Sequence, residues 1–248
     1  MGVALSQKDR LKLEDNARLP SPEDIVAFSQ LPLFCTLNSE CLRRVTADAR
    51  VVRYQRGDVL FHQGEQARWL HILVDGQIGL VGSVSGGEET IVEILKSGEV
   101  FIAAAVLTGK PYLMSAKALT TARLLLLPGD RLLGDLRDNP DLALNMLASL
   151  AKHFRMLVSE VKDLKLKSAS QRLALYLMSL TNKREGSAIL HLPHNKILIA
   201  GRVGVRPETL SRVFQALKKE GVVSENQTVA ITDLKRLAAF CQEGDEII

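Results

Sequence analysis

Glu208, Thr209, Ser211, Arg212, Gln215, Lys218 and Lys219 share one side of a segment whose other side is Leu210, Val213, Phe214 and Leu217. Apolar residues recurring at 3, 1 and 3 mark an amphipathic helix. Pro207 suits its first turn, where the missing N–H would have no partner anyway. Guanidinium, carboxylate, hydroxyl and ammonium groups along one helix face offer donors, acceptors and positive charge. That is the chemistry of contacting base edges and phosphates. Just upstream, Ile197, Leu198 and Ile199 fit a shorter helix, and Gly201 and Gly204 a break. Two short helices about a glycine turn, the second polar and basic outside, form the helix-turn-helix pattern. An ordinary helical hairpin with a solvated face is the bland alternative.

The other reactive side chains form no catalytic set. A metal-binding jelly-roll enzyme would need two histidines one residue apart and a carboxylate, whereas His62 and His71 are nine apart. There is no Ser/His/Asp set in a recognisable context, no phosphate-binding loop and no paired carboxylates in a glycine turn. Cys35, Cys41 and Cys241 are an odd count, expected as reduced thiols, and too few and wrongly spaced for zinc. The start, MGVALSQKDRLKLEDN, has no apolar signal core, and no run of 18 apolar residues could span a bilayer. A cytoplasmic protein that is not an enzyme and has no membrane partner is the expectation.

The chain has 248 residues, 46% hydrophobic and 24% charged, enough for one large or two ordinary globular domains. The net charge of +4 is unevenly spread: from Ala169 to Phe240 there are eleven Lys/Arg against five Asp/Glu. That excess sits on the segment holding the helix pair, as a phosphate-binding surface requires.

The elements that would position this surface follow from the patterning. Residues 1–20 read as a loosely held arm, then Asp24–Leu33 and Ser39–Asp48 as short helices, with Ser39 capping the second. From Arg50 to Leu127, seven short segments rich in Val, Ile and Leu alternate with turns such as Asp75-Gly76 and Gly86-Gly87, predicting a β-roll. The Ala-rich Phe101–Leu107 reads as a helix within it. Asp130–Asn139 is a small helix stopped by Pro140. A long helix then runs from Asp141 to about Lys167, carrying Leu147, Leu150, Phe154, Leu157, Val161 and Leu164 at 3,4,3,4,3. That is the seam of a coiled coil and predicts a homodimer. Packing on the chain's own β-roll is the alternative, and Leu144, Ala148, Ala151 and Val158 widen the face toward it. After a hinge at 165–170 come a helix (Ser170–Thr181), a strand (Ala188–Leu192), the helix pair, a two-stranded wing (Gly221–Val223 and Thr228–Ile231, with Glu225-Asn226 between) and a last helix (Asp233–Cys241).

This order resembles the family of the cyclic AMP receptor protein and the fumarate–nitrate reductase regulator. The resemblance is carried by LPLF at 31–34, RGDVLFHQGE at 56–65, LVDGQI at 73–78 and PETLSRVFQALKKEGVV at 207–223, and covers about Leu31 to Phe240. It implies an α+β fold: an arm (1–20), a β-roll sensor domain (21–139), a dimerisation helix with hinge (140–168) and a winged helix-turn-helix (169–248). It implies transcriptional control, a palindromic operator in double-stranded DNA and contact with RNA polymerase. Glu208, Ser211 and Arg212 match the E-x-x-S-R pattern of the fumarate–nitrate branch, which implies a TTGAT-like inverted repeat. There Arg212 can donate two bonds to guanine and Glu208 can accept from cytosine. Thr209 joins this reading face, and Arg202, Arg206, Lys218 and Lys219 look like phosphate contacts.

The sensor's ligand is less defined. Cyclic-nucleotide members hold the phosphate with an Arg-Ser pair and the ribose with a Glu in a Gly-Glu turn. Here those positions read Met114-Ser115 and Ile102-Ala103, so cyclic AMP is not expected. With no cysteine between Arg50 and Lys167, an iron–sulfur cluster is not expected either. The nitric-oxide-responsive dissimilatory nitrate respiration regulators look closest, through KPYLMSAKAL at 110–119. On that resemblance Ile102, Ala103, Ala105, Leu113, Met114 and Ser115 would line an apolar effector pocket suited to haem. His62, His71, His153 and Met114 are the candidate axial ligands, although none has a signature spacing and an ordinary surface or strand residue is the favoured alternative for each.

Overall fold

The computed structural model describes residues 16–83, 89–193 and 196–242. The chain divides into two compact units, Met1–Phe154 and Arg155–Ile248. The Gly86-Gly87 turn and most of the expected arm lie outside the described residues.

In the first unit the elements are β1 (Ala17–Arg18), α1 (Pro22–Phe28), α2 (Ser39–Val45), β2 (Arg50–Tyr54), β3 (Val59–Phe61), β4 (Trp69–Asp75), β5 (Gln77–Ser83), β6 (Glu89–Lys96), β7 (Val100–Phe101), α3 (Ala103–Thr108), β8 (Ser115–Ala118), β9 (Ala122–Pro128) and α4 (Gly129–Asp138). A five-stranded sheet runs β1-β2-β9-β4-β7 and a four-stranded sheet β3-β8-β5-β6, every pairing antiparallel. Both contribute to one core, which also takes Phe28, Leu42, Leu132, Leu142 and Met146 from helices. The buried runs Leu70–Leu73 and Leu124–Leu127 fit strands covered on both faces.

Several boundaries move for local reasons. Ala17 and Arg18 are not arm but an edge strand, paired with Val52 and Val51. Asn38, not Ser39, caps α2, its Oδ1 accepting from the Cys41 N–H. α3 begins at Ala103 because Val100–Phe101 pairs with His71–Ile72 and Ile102 turns the chain at φ 68. The glycine in the Asp75-Gly76 turn is required: φ is +94, and a Cβ would collide with the Thr121 carbonyl oxygen.

The long helix α5 spans Pro140–Leu166. Its inner row is Leu142 and Met146, fully buried, followed by Leu150, half-buried against the β-roll core. Leu150 therefore departs from the expected seam. The remaining seam residues, Leu147, Phe154, Leu157, Val161 and Leu164, are 41–66% exposed, and so is Leu144 beside them.

The second unit holds α6 (Ala169–Ser179), β10 (Ala188–His191), α7 (Lys196–Val203), α8 (Pro207–Leu217), β11 (Val222–Glu225), β12 (Thr228–Ile231) and α9 (Leu234–Gln242). Ser168 and Gln171 form a reciprocal capping box at the start of α6. The wing is three-stranded, β10-β12-β11, with Ala188 opposite Ile231 and Glu225 opposite Thr228. Glu225 is thus a strand residue, and Asn226 at φ 53 makes the turn. Leu173, Leu177, Ile199, Val203, Leu210, Leu217, Val222, Val229, Ile231, Leu234 and Leu237 fill a separate core.

Candidate nucleic-acid interface

The helix pair is set by its apolar residues. Ile199, Ala200 and Val203 of α7 and Leu210, Val213, Phe214 and Leu217 of α8 are buried in the second core. Glu208, Thr209, Ser211 and Arg212 are left on the solvent side. Among the described residues, no hydrogen bond or ion pair engages their side chains. Arg206 sits at the N-cap of α8 and makes no capping bond. Lys218 and Lys219 lie exposed in the 3-10 turn that closes the helix, where Arg236 donates to the Lys219 carbonyl (2.6 Å) and pairs with Glu220 (3.1 Å).

Arg202 behaves otherwise than expected. Its guanidinium is 2.6 Å from Glu160 Oε1 on α5. It is therefore a link to the long helix rather than a free phosphate contact. Gly204 forms the turn at φ +70, and a Cβ there would lie 2.7 Å from Leu164 Cδ2. Arg172 on α6 completes the support. It donates to the carbonyls of Val203 (2.7 Å) and Lys167 (2.7 Å), with Gly204 at 3.4 Å. No motif pointed to Arg172 or Glu160, because their partners are 31 and 42 residues away.

The expected effector residues gather around α3 and β8 but differ in burial. Ala103 is buried; Ile102, Ala105 and Met114 are half-buried against the β-roll core. Leu113 is 83% exposed. Ser115 Oγ accepts from the Gln63 N–H at 3.0 Å. The Met114-Ser115 pair itself offers a hydroxyl and no cation.

The histidines lie on separate elements. His71 on β4 is buried, with Phe61, Phe101 and Tyr112 around it at ring-centroid distances of 5.1, 5.3 and 6.3 Å. Its Nδ1–H donates to the Trp69 carbonyl (2.9 Å), and burial pushes its pKa down to about 4. A porphyrin could reach this ring only by displacing an aromatic neighbour, so His71 does not fit a haem ligand. His153 on α5 faces Glu93 Oε1 at 3.6 Å, and His62 follows β3. Among the described residues, no cluster of three or more His, Cys, Asp or Glu could hold a metal ion, and no helix is long and apolar enough to cross a membrane.

A β-roll and a winged helix-turn-helix with an exposed polar reading face define a DNA-binding regulator with an effector domain. Comparison with known proteins specifies which kind. Residues 51–139 match the cyclic nucleotide-binding domain and residues 171–240 the Crp-like helix-turn-helix domain. The chain is 31% identical over 170 residues to the cyclic AMP receptor protein of Thermus thermophilus, covering 68% of this chain and 77% of that one. It is 25% identical over 212 residues to the CRP-like cAMP-activated global transcriptional regulator of Mycobacterium tuberculosis, covering 83% and 94%. A solved transcriptional regulator of the CRP/FNR family from Thermus thermophilus shares the fold with a TM-score of 0.58, at 24% identity over 78% of this chain and 99% of that one. The chain belongs to the cyclic AMP receptor protein/fumarate–nitrate reductase regulator (CRP/FNR) family of transcriptional regulators. Its curated relatives are regulators rather than enzymes.

Proposed function

We propose that the protein is a cytoplasmic, homodimeric transcriptional regulator that reads an inverted repeat of TTGAT-like half-sites. Its β-roll responds to a small effector other than a cyclic nucleotide. The observation that carries the DNA reading is the exposed, unbonded set Glu208, Thr209, Ser211 and Arg212 on a helix whose opposite face is buried. The exposed row on α5 supports the dimer, and a dimer makes a palindrome the natural target. RNA polymerase is the partner this role implies.

Cyclic AMP control is the second reading, favoured by the names of the relatives. Against it, Met114 stands where a guanidinium would meet the phosphate. Control by nitric oxide through haem draws no support from His71, whose ring is enclosed.

Fluorescence anisotropy with a TTGAT palindrome and a scrambled duplex, each with and without cyclic AMP, tests both points. We expect preference for the palindrome, and Arg212→Ala to remove about 1–3 kcal/mol of discrimination at one base position. Equal affinity for the two duplexes would refute the operator assignment. Tightening by cyclic AMP would restore the second reading.

A further inference from the structure

Three arginines meet on one face of the five-stranded sheet. The register sets Arg53 of β2 directly opposite Arg123 of β9, and Arg18 of β1 opposite Val51. Side chains alternate along a strand, so Val51 and Arg53 share a face, and their cross-strand partners join them there. An open cleft of about 280 Å³ lies on that face, lined by Asn16, Arg18, Val51, Arg53 and Arg123. Among the described residues, the lining holds three guanidinium groups and no carboxylate.

Beneath it, the buried carboxylate of Asp24 engages two of the three. It pairs with Arg18 and lies 3.5 Å from Arg123. The Ser21 N–H and hydroxyl also donate to Asp24, at 2.8 and 3.0 Å. Arg18 and Arg123 are thereby held in place. Arg53 is exposed and has no hydrogen-bond or ion-pair partner among the described residues. Like charges placed directly opposite on paired strands are destabilising. A surplus of guanidinium around an open cleft, partly pre-positioned by a buried acid, is what an anion needs and what an empty sheet face does not.

We propose that this cleft binds the phosphoryl group of a small ligand, either free inorganic phosphate or a phosphomonoester. Arginine forks match phosphate oxygens in pairs. Arg53 supplies a charge that no carboxylate among the described residues pairs, and the Asn16 amide adds a neutral donor. The volume accommodates a phosphate with a small remainder.

Calorimetric titration of the full chain at constant ionic strength tests this, with inorganic phosphate and glycerol 3-phosphate as probes and sodium chloride as the control. We expect saturable phosphate binding, weakened about tenfold or more by Arg53→Ala, as loss of a charge-assisted contact implies. Because Arg53 is exposed and has no partner among the described residues, the same variant should melt in chloride at or above the wild-type temperature. A purely structural arginine would lower it. Tighter binding of glycerol 3-phosphate supports a metabolite as the source, and equal binding supports free phosphate. The site is overturned if neither probe binds beyond the chloride control, or if Arg53→Ala binds as wild type does. This outcome is independent of the DNA reading, because Arg53→Ala leaves the reading helix intact.

Discussion

The Nε of Arg172 donates to the carbonyl of Val203 at 2.7 Å, so one guanidinium on α6 closes the end of α7. The last carbonyls of a helix have no partner within it, and a cation there also suits the helix dipole. The same group reaches Lys167 beyond the end of α5, tying three segments of the second unit together. Arg172→Ala should therefore cost about 2 kcal/mol of stability, the worth of charge-assisted hydrogen bonds. Arg172→Lys should recover only part, since one ammonium cannot fork across three carbonyls. Urea unfolding of the full chain measures both. Wild-type stability in Arg172→Ala would show that the clamp contributes nothing.

The proposed dimer seam and the contact with the β-roll core occupy two different rows of the long helix. Leu157 is 41% exposed between Phe154 and Val161 on the outer row, whereas Leu150 packs on the β-roll core. Leu157→Glu should give monomers in analytical ultracentrifugation and weaken binding to a palindrome, with little change in unfolding. Leu150→Ala should keep the dimer and lose about 1–2 kcal/mol of stability, less than a fully buried leucine would lose. Dimers persisting in Leu157→Glu would place the interface elsewhere.

His71 makes stability depend on pH in a defined window. Burial holds its native pKa near 4, while the unfolded residue titrates near 6.5. Between those values the unfolded chain binds more protons. Stability is thus complete above pH 6.5 and falls as pH drops toward 4, by up to about 3 kcal/mol in all. Asp24 acts in a lower window. Its pKa, held down to about 2 by Arg18, gives stability that is present above about 4 and lost as pH falls through 2. His71→Phe should flatten the upper window in denaturant titrations from pH 7 to 4.5. An unchanged slope would assign the dependence to another group.

The reading helix was legible because its chemistry is local. Pro207, the 3,1,3 apolar stripe and Gly204 are short-range signals, and the structure places each as expected. What escaped depends on contacts across long sequence separations. Nothing near Arg202 in the chain reveals Glu160, so its charge read as free. Leu150 fits a heptad as well as Leu147 does. Only the β-roll core beside it, built from residues far upstream, decides which way it packs. β10 gave the wing a third strand through pairing with β12, although its own sequence suggested only an isolated strand. Ile102 shows the converse limit: a β-branched residue gives no warning of φ 68, a backbone region it seldom adopts.

The reading face is bonded to nothing else in the described protein, and this has an evolutionary consequence. Exposed substitutions that break no contact usually change stability by within about 0.5 kcal/mol. On the proposed DNA reading, positions 208, 209, 211 and 212 can therefore drift toward a new operator at little thermodynamic cost, while Leu210, Val213, Phe214 and Leu217 remain fixed by packing. Divergence of target genes after duplication would need only a few codons, and none of them in the residues that hold the domain together.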